Sequence, residues 1–227
     1  RLLSRGLGDV YKRQARTSEA TEYETAVTAW GRVVEQAPAN RAARQHLVRM
    51  LLAGGQYGAA IAALQRGLEI YPDDVDASRQ LAWELATAPD PGLRDAVEAR
   101  RLAEFAFAKN AGNPLANDTL AAAMAENGIY TEAAALADTA LGLLQADEEE
   151  LRGAIIARRY LYLASQPFRQ TAPSDCARKS AHVFFYTVGW SHFPSHGRAA
   201  PETCRTQSPH LSTNPSRFRQ SACPRPH

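Results

Sequence analysis

The sequence predicts an all-α protein built as an α-solenoid of antiparallel helical hairpins, closed by a C-terminal capping helix and followed by a disordered tail. Three observations predict it. A residue pattern returns every thirty-four positions, alanine holds one fixed place in each copy while bulky side chains hold another, and helix-start signals fall where the period puts them. Each copy is a helical pair too small to bury its own apolar face, so stacking of neighbours has to supply the core.

The elements follow in chain order. Residues 1–20 read as an irregular N-terminal segment whose start, "RLLSRGLGDVYKRQ", resembles translated sequencing-adapter read-through more than a protein helix. Thr21 with Glu24 three residues later forms a capping box and opens a partial copy over 21–40, with Tyr23, Ala26, Trp30 and Pro38 in register. Asn40 caps the copy at 41–74, in which Leu47, Val48 and Leu51 belong to the first helix and Tyr57, Ala60, Leu64, Gly67, Leu68 and Pro72 to the second. Asp74 caps the next, over 75–113, with Leu81, Ala82 and Leu85, then Ala99, Ala103, Ala106 and Phe107.

That third copy fits the period only with five extra residues, and the excess falls at Thr87 to Asp95, "TAPDPGLRD". Residues ahead of Pro89 and Pro91 are pushed out of the α region, ending the helix near Thr87, and Asp95 is placed to cap the following one. The Pro-Asp-Pro-Gly stretch is thus expected to be an enlarged turn within a hairpin. The copy at 114–147 opens on Asn113-Pro114 and repeats the series as Leu120, Ala121, Met124, Gly128, Tyr130, Ala133, Ala137, Ala140 and Leu141. A capping helix over 148–166 starts with Glu148, Glu149 and Glu150 at the positive end of its dipole, lays Leu151, Ile155 and Tyr162 on the last hairpin, turns a polar side outward and stops at Pro167. Small Ala26, Ala60, Ala99 and Ala133 let the helices of a hairpin approach; larger Trp30, Leu64 and Met124 fill the space between hairpins.

The series Gly55, Tyr57, Ala60, Leu64 and Pro72 matches the second half of the tetratricopeptide repeat pattern, and residues from about Thr21 to Gln170 resemble a protein of that family. "LAWELATAPDPGLRDAVEARRLAEFA", "LANDTLAAAMAENGIYTEAAALADTAL" and "YLASQPFR" are similar to the C-terminal repeats of a bacterial group of such proteins. The resemblance implies a protein–protein interaction scaffold with no chemistry of its own. It also implies a concave groove lined by the first helix of each hairpin, which by register contains Gln45, Arg49, Arg79, Trp83, Asp118, Ala122 and Glu126. The two arginines beside an exposed Trp would grip an acidic or C-terminal peptide through charge-assisted bonds and stacking; the plainer reading is a solvated helix face. The Lys/Asn carboxylate clamp of chaperone-tail binders is not reproduced. The second functional reading, a C-terminal regulatory or docking fragment of a larger glycosyltransferase-like enzyme whose catalytic domain is absent, comes from the same group and from a chain that does not open on Met.

Composition narrows the rest. With 45% hydrophobic and 22% charged residues the chain has enough apolar surface for a core, and it contains no apolar run long enough to span a membrane and no secretory signal. From residue 171 the tail is basic and rich in Pro, Ser and His; Pro173 to His227 holds seven Lys or Arg against two Asp or Glu. Disorder is expected there, in keeping with a wrong-frame extension. Its arginines are scattered, so nucleic acid is not an expected partner beyond nonspecific attraction. His192 and His196 have half-site spacing, but Cys176, Cys204 and Cys223 form no short pair, so no metal is expected. No phosphate loop or catalytic constellation is found, so neither a cofactor nor an enzymatic residue is expected; the expected partner is a protein or peptide. If the first copy lacks its partner helix, the face of Tyr23, Trp30 and Val34 would favour self-association.

Overall fold

The computed structural model describes residues 23–171. Every regular element among them is helical: α1 (residues 23–36), α2 (Arg41–Ala53), α3 (Tyr57–Ile70), α4 (Val75–Thr87), α5 (Ala96–Lys109), α6 (Pro114–Glu126), α7 (Tyr130–Leu143) and α8 (Glu149–Leu163), with one 3-10 turn at Pro91–Leu93. The expectations for residues 1–20 and for the tail, with its histidines and cysteines, lie outside the described residues, as does the Thr21 side of the capping box. The all-α solenoid is borne out.

Helix starts follow local chemistry. Asn40 Oδ1 accepts the Ala43 N–H at 3.0 Å and Asp74 Oδ1 accepts that of Ala77 at 3.1 Å. Asp95 Oδ1 takes two, from Val97 at 3.1 Å and Glu98 at 3.0 Å, and Asn113 Oδ1 takes that of Leu115 at 2.8 Å with Pro114 in the first turn. Each satisfies donors that the helix itself cannot. α3 and α7 lack a side-chain cap, because the chain reaches them through a tight reversal that ends the preceding helix. Gly55 and Gly128 carry φ of 74° and 78°, and in both places the following N–H returns to the helix, Gln56 to the Leu51 carbonyl and Ile129 to that of Met124. Only glycine enters that region without a Cβ penalty.

Between α4 and α5 no glycine reversal exists. The chain leaves α4 at Ala88 and passes through the 3-10 turn, where Asp90 Oδ1 accepts the Gly92 N–H at 2.9 Å. It re-enters at Asp95, whose N–H reaches back to the Leu85 carbonyl at 3.1 Å. The Pro-Asp-Pro segment is therefore an enlarged turn inside a hairpin, as the period requires.

Packing follows the alternation of small and large side chains. α2 lies against α3, α4 against α5 and α6 against α7, while α4 and α6, the first helices of neighbouring hairpins, also touch directly. Ala60, Ala99 and Ala133 are each fully buried, and Leu64, Leu81 and Leu85 fill the space beside them. A Leu at any of these alanines would force the helices apart, an overpacking cost of about 1–3 kcal/mol. Gly67 has a related role: a Cβ there would sit 2.8 Å from Arg44 Cδ, so the buried Arg44 stem crosses α3 only because the position is bare.

The two ends differ from the interior. Tyr23, Ala26, Trp30 and Val34 are half-buried, with Trp30 and Val34 packed on the main core and Tyr23 Oη donating to the Met50 carbonyl at 2.8 Å. At the other end Ile155 and Tyr162 of α8 are buried, as expected. The outward side of α8 is not uniformly polar, however. Ile156, Tyr160 and Leu163 are exposed on it at helical spacing. α8 stops at Leu163, the chain reverses at Ser165 with φ 57°, and residues 166–170 run back across the first-helix face.

Candidate functional site

The site is built on the C-terminus of α4. A helix leaves its last four carbonyls without intrahelical partners, and a glycine reversal would normally satisfy some of them. Here Pro89 and Pro91 preclude that closure, and other groups take over. The Glu84 carbonyl accepts the Ala88 N–H at 3.0 Å and the Leu85 carbonyl that of Asp95. The remaining two are met from more than eighty residues away: Arg169 Nη1 donates to the Ala86 carbonyl at 3.3 Å, and the Gln170 N–H to that of Thr87 at 2.8 Å. The Gln170 amide adds bonds to Glu84 Oε2 at 3.0 Å and Thr87 Oγ1 at 2.8 Å. The returning segment thus caps α4 from outside.

Beside it lies a layer of aromatic and charged groups. Arg158 of α8 forms a bidentate pair with Asp118 of α6, Nε to Oδ1 at 2.9 Å and Nη2 to Oδ2 at 2.7 Å, both side chains 3% exposed. The Arg158 guanidinium stands 5.1 Å from the Trp83 ring centre and 5.5 Å from that of Phe168, and the two rings are 5.9 Å apart. Cation–π attraction and ring contact thereby join α4, α8 and the returning segment. Glu126, at the end of α6, pairs with Arg94 of the enlarged turn at 3.3 Å and with Arg169 of the returning segment.

Burial sets the electrostatics. It pushes the Glu84 carboxyl up to about 7, against the opposing pull of the Gln170 hydrogen bond. Burial also raises Asp118, with Arg158 and Arg79 acting the other way. Arg79 is lowered by burial, opposed by Asp76 and Asp118.

The residues singled out from register therefore fall into two groups. Gln45 and Arg49 are exposed on α2; Arg49 Nη2 sits 2.7 Å from His46 Nδ1, and Gln45 shares a shallow cleft with Val48, Ala77 and Gln80 between α2 and α4. Trp83, Asp118 and Glu126 come together, but not on an open face. Trp83 was expected to be exposed; it is half-buried, because Phe168 and Arg158 cover it. Asp118 is buried against Arg158, Glu126 is engaged twice, and Arg79 is mostly sunk between α4 and Asp118. Glu84, Thr87, Arg158, Phe168 and Gln170 were not foreseen. The signal that could have found them is a turn with prolines where its sister hairpins have glycine, leaving α4 uncapped, together with the donor-rich "PFRQ" after the last helix.

A family model described as tetratricopeptide repeat matches residues 6–83. Over those residues the chain is similar to tetratricopeptide repeats. Among solved structures, MamA MSR-1 C2 is similar at 20% identity with a TM-score of 0.46, covering 76% of this chain and 94% of that one. A crystal structure of MamA protein is similar at 13% identity with a TM-score of 0.47, covering 79% and 95%. No curated protein matches the chain. Tetratricopeptide repeats bind proteins or peptides, and the match over residues 6–83 supports a protein-interaction role in that general sense. Among the described residues no helix is long and apolar enough to cross a membrane.

Proposed function

We propose that the chain is a non-catalytic scaffold that holds a peptide or docks a partner domain along the first-helix face of its hairpins, over α2, α4 and α6. The observation that carries this reading is that the same face already accommodates an extended segment, residues 167–170, through main-chain carbonyls and a ring contact. A face that accepts extended chain at one end has the geometry for it along its length. Gln45 and Arg49 then supply the open part of the groove, with Arg79 behind them.

An acidic peptide is the complement of Arg49, whose exposed guanidinium offers planar paired donors, with the charge of the mostly buried Arg79 behind it. The test is titration of a library of labelled acidic and neutral peptides into the native chain, Arg49→Glu and Arg79→Gln. Preferential binding of acidic peptides, lost in Arg49→Glu while the melting temperature is unchanged, supports the assignment. Undiminished binding in that variant removes Arg49 from the groove.

A further inference from the structure

The α4–α6 half of the groove has a chemistry opposite to that around Arg49. The groups turned toward the returning segment are acceptors: the Glu84 and Glu126 carboxylates, the Ala86 and Thr87 carbonyls and the Thr87 hydroxyl. An acidic peptide would meet like charge there. A segment with an aromatic ring, a guanidinium and an amide in sequence meets each group in turn, and Phe168, Arg169 and Gln170 do so.

The receiving side is held in place without its occupant. Glu126 is fixed by Arg94, Arg158 by Asp118, and the Thr87 hydroxyl by the Trp83 carbonyl at 2.7 Å. The occupant is lightly held by comparison. Residues 167–170 are only half-buried, belong to no helix, and join α8 through the reversal at Ser165. Lifting them would strip two α4 carbonyls and the Glu84 carboxyl of their donors and remove one of the two partners of Glu126, while leaving the Arg94–Glu126 and Arg158–Asp118 pairs in place, so another chain carrying the same donors would satisfy the same vacated bonds.

We propose that residues 167–170 are an intramolecular ligand, and that the α4–α6 half of the groove takes in trans a peptide of the same chemistry, an aromatic residue followed by arginine and an amide side chain. This rests on the reading that the first-helix face holds peptides. The tethered segment competes with such a partner at the high effective concentration of an attached ligand, so it sets a threshold for partner binding.

The test uses the full chain and a fluorescent peptide, Gln-Pro-Phe-Arg-Gln-Thr, with fluorescence anisotropy as the readout. The native chain is expected to bind it weakly, and the double variant Phe168→Ser/Arg169→Ser at least about tenfold more tightly, because the tethered competitor is weakened. The same peptide with Glu in place of Arg is expected not to bind the variant. Equal affinity of native chain and variant, or indifference to the Arg-to-Glu change, overturns the proposal.

If the double variant does not fold, a chain with a protease site placed after Ala164 decides the matter. Once cut, the released segment is expected to stay bound and to be displaced by excess peptide; immediate dissociation, or retention that the peptide cannot reverse, overturns the proposal. Loss of acidic-peptide binding in Arg49→Glu alongside failure here would leave the scaffold reading standing and remove only this inference.

Discussion

Arg158 and Asp118 lie forty positions apart in sequence, yet form a bidentate ion pair at 2.9 and 2.7 Å with almost no exposure to solvent. The pair sits where the capping helix, the last hairpin and Trp83 converge, so it ties the end of the solenoid to its interior.

Removing one member of the pair should cost far more than removing both. Asp118→Ala strands a guanidinium between two aromatic rings, and Arg158→Met strands a carboxylate; either is expected to lower unfolding free energy by about 3–5 kcal/mol. The double variant Asp118→Leu/Arg158→Met leaves no orphan charge and should recover most of that loss. Urea denaturation of the three variants and the native chain checks it, and additive losses would show that the two groups do not depend on one another.

Glu84 gives the fold a pH dependence with a definite sign. Its carboxyl is pushed up to about 7 in the folded chain from 4.5, so between those values the folded state holds more protons than the unfolded. Stability contributed by this group is therefore greatest below the unfolded value and falls as pH rises through 7, by about 3 kcal/mol in all. Glu84→Gln keeps an acceptor for Gln170 and removes the titration. The variant is expected to equal the native chain near pH 4 and to exceed it at pH 8 in denaturant midpoint. A native-like fall across that window in the variant would assign the effect to another group.

Helix starts were legible because their signals are local. Asn40, Asp74, Asp95 and Asn113 each accept a bond from a residue two or three positions on, and the repeat register alone places Ala60, Ala99 and Ala133 in the core. Register also named the face on which Trp83, Asp118 and Glu126 stand. It could not say what covers them, because Phe168, Arg169 and Gln170 arrive from the far end of the domain and obey no period. A helical spacing reports which side of a helix is turned toward a neighbour; it carries no information about a strand of irregular chain laid across that side.

Asp95 is expected to be the most costly of the four caps to lose. It accepts two N–H groups where the others accept one, and no glycine reversal supports the start of α5. Asp95→Ala should lower stability by about 1–2 kcal/mol, against about 1 kcal/mol or less for Asn40→Ala. Thermal melts of the two variants give the comparison, and a larger loss at Asn40 would contradict it. Asp95→Asn, which keeps the acceptor oxygen, should restore most of the difference.

Glycines at two kinds of position should respond to alanine with opposite signs. Gly128 carries φ of 78°, a conformation that disfavours any Cβ even though open space surrounds it, and its reversal joins α6 to α7. Gly128→Ala is expected to destabilise by about 1–2 kcal/mol through the backbone alone. Gly153 lies inside α8 with nothing near its missing Cβ, so alanine there adds no clash and reduces the freedom of the unfolded chain. Gly153→Ala should stabilise by about 0.5–1 kcal/mol. Because neither substitution removes a side-chain contact, the difference between them isolates backbone conformation from packing. A melting temperature raised by Gly128→Ala would show that the reversal there is not held in the left-handed region in solution, and one lowered by Gly153→Ala would contradict the reading of α8.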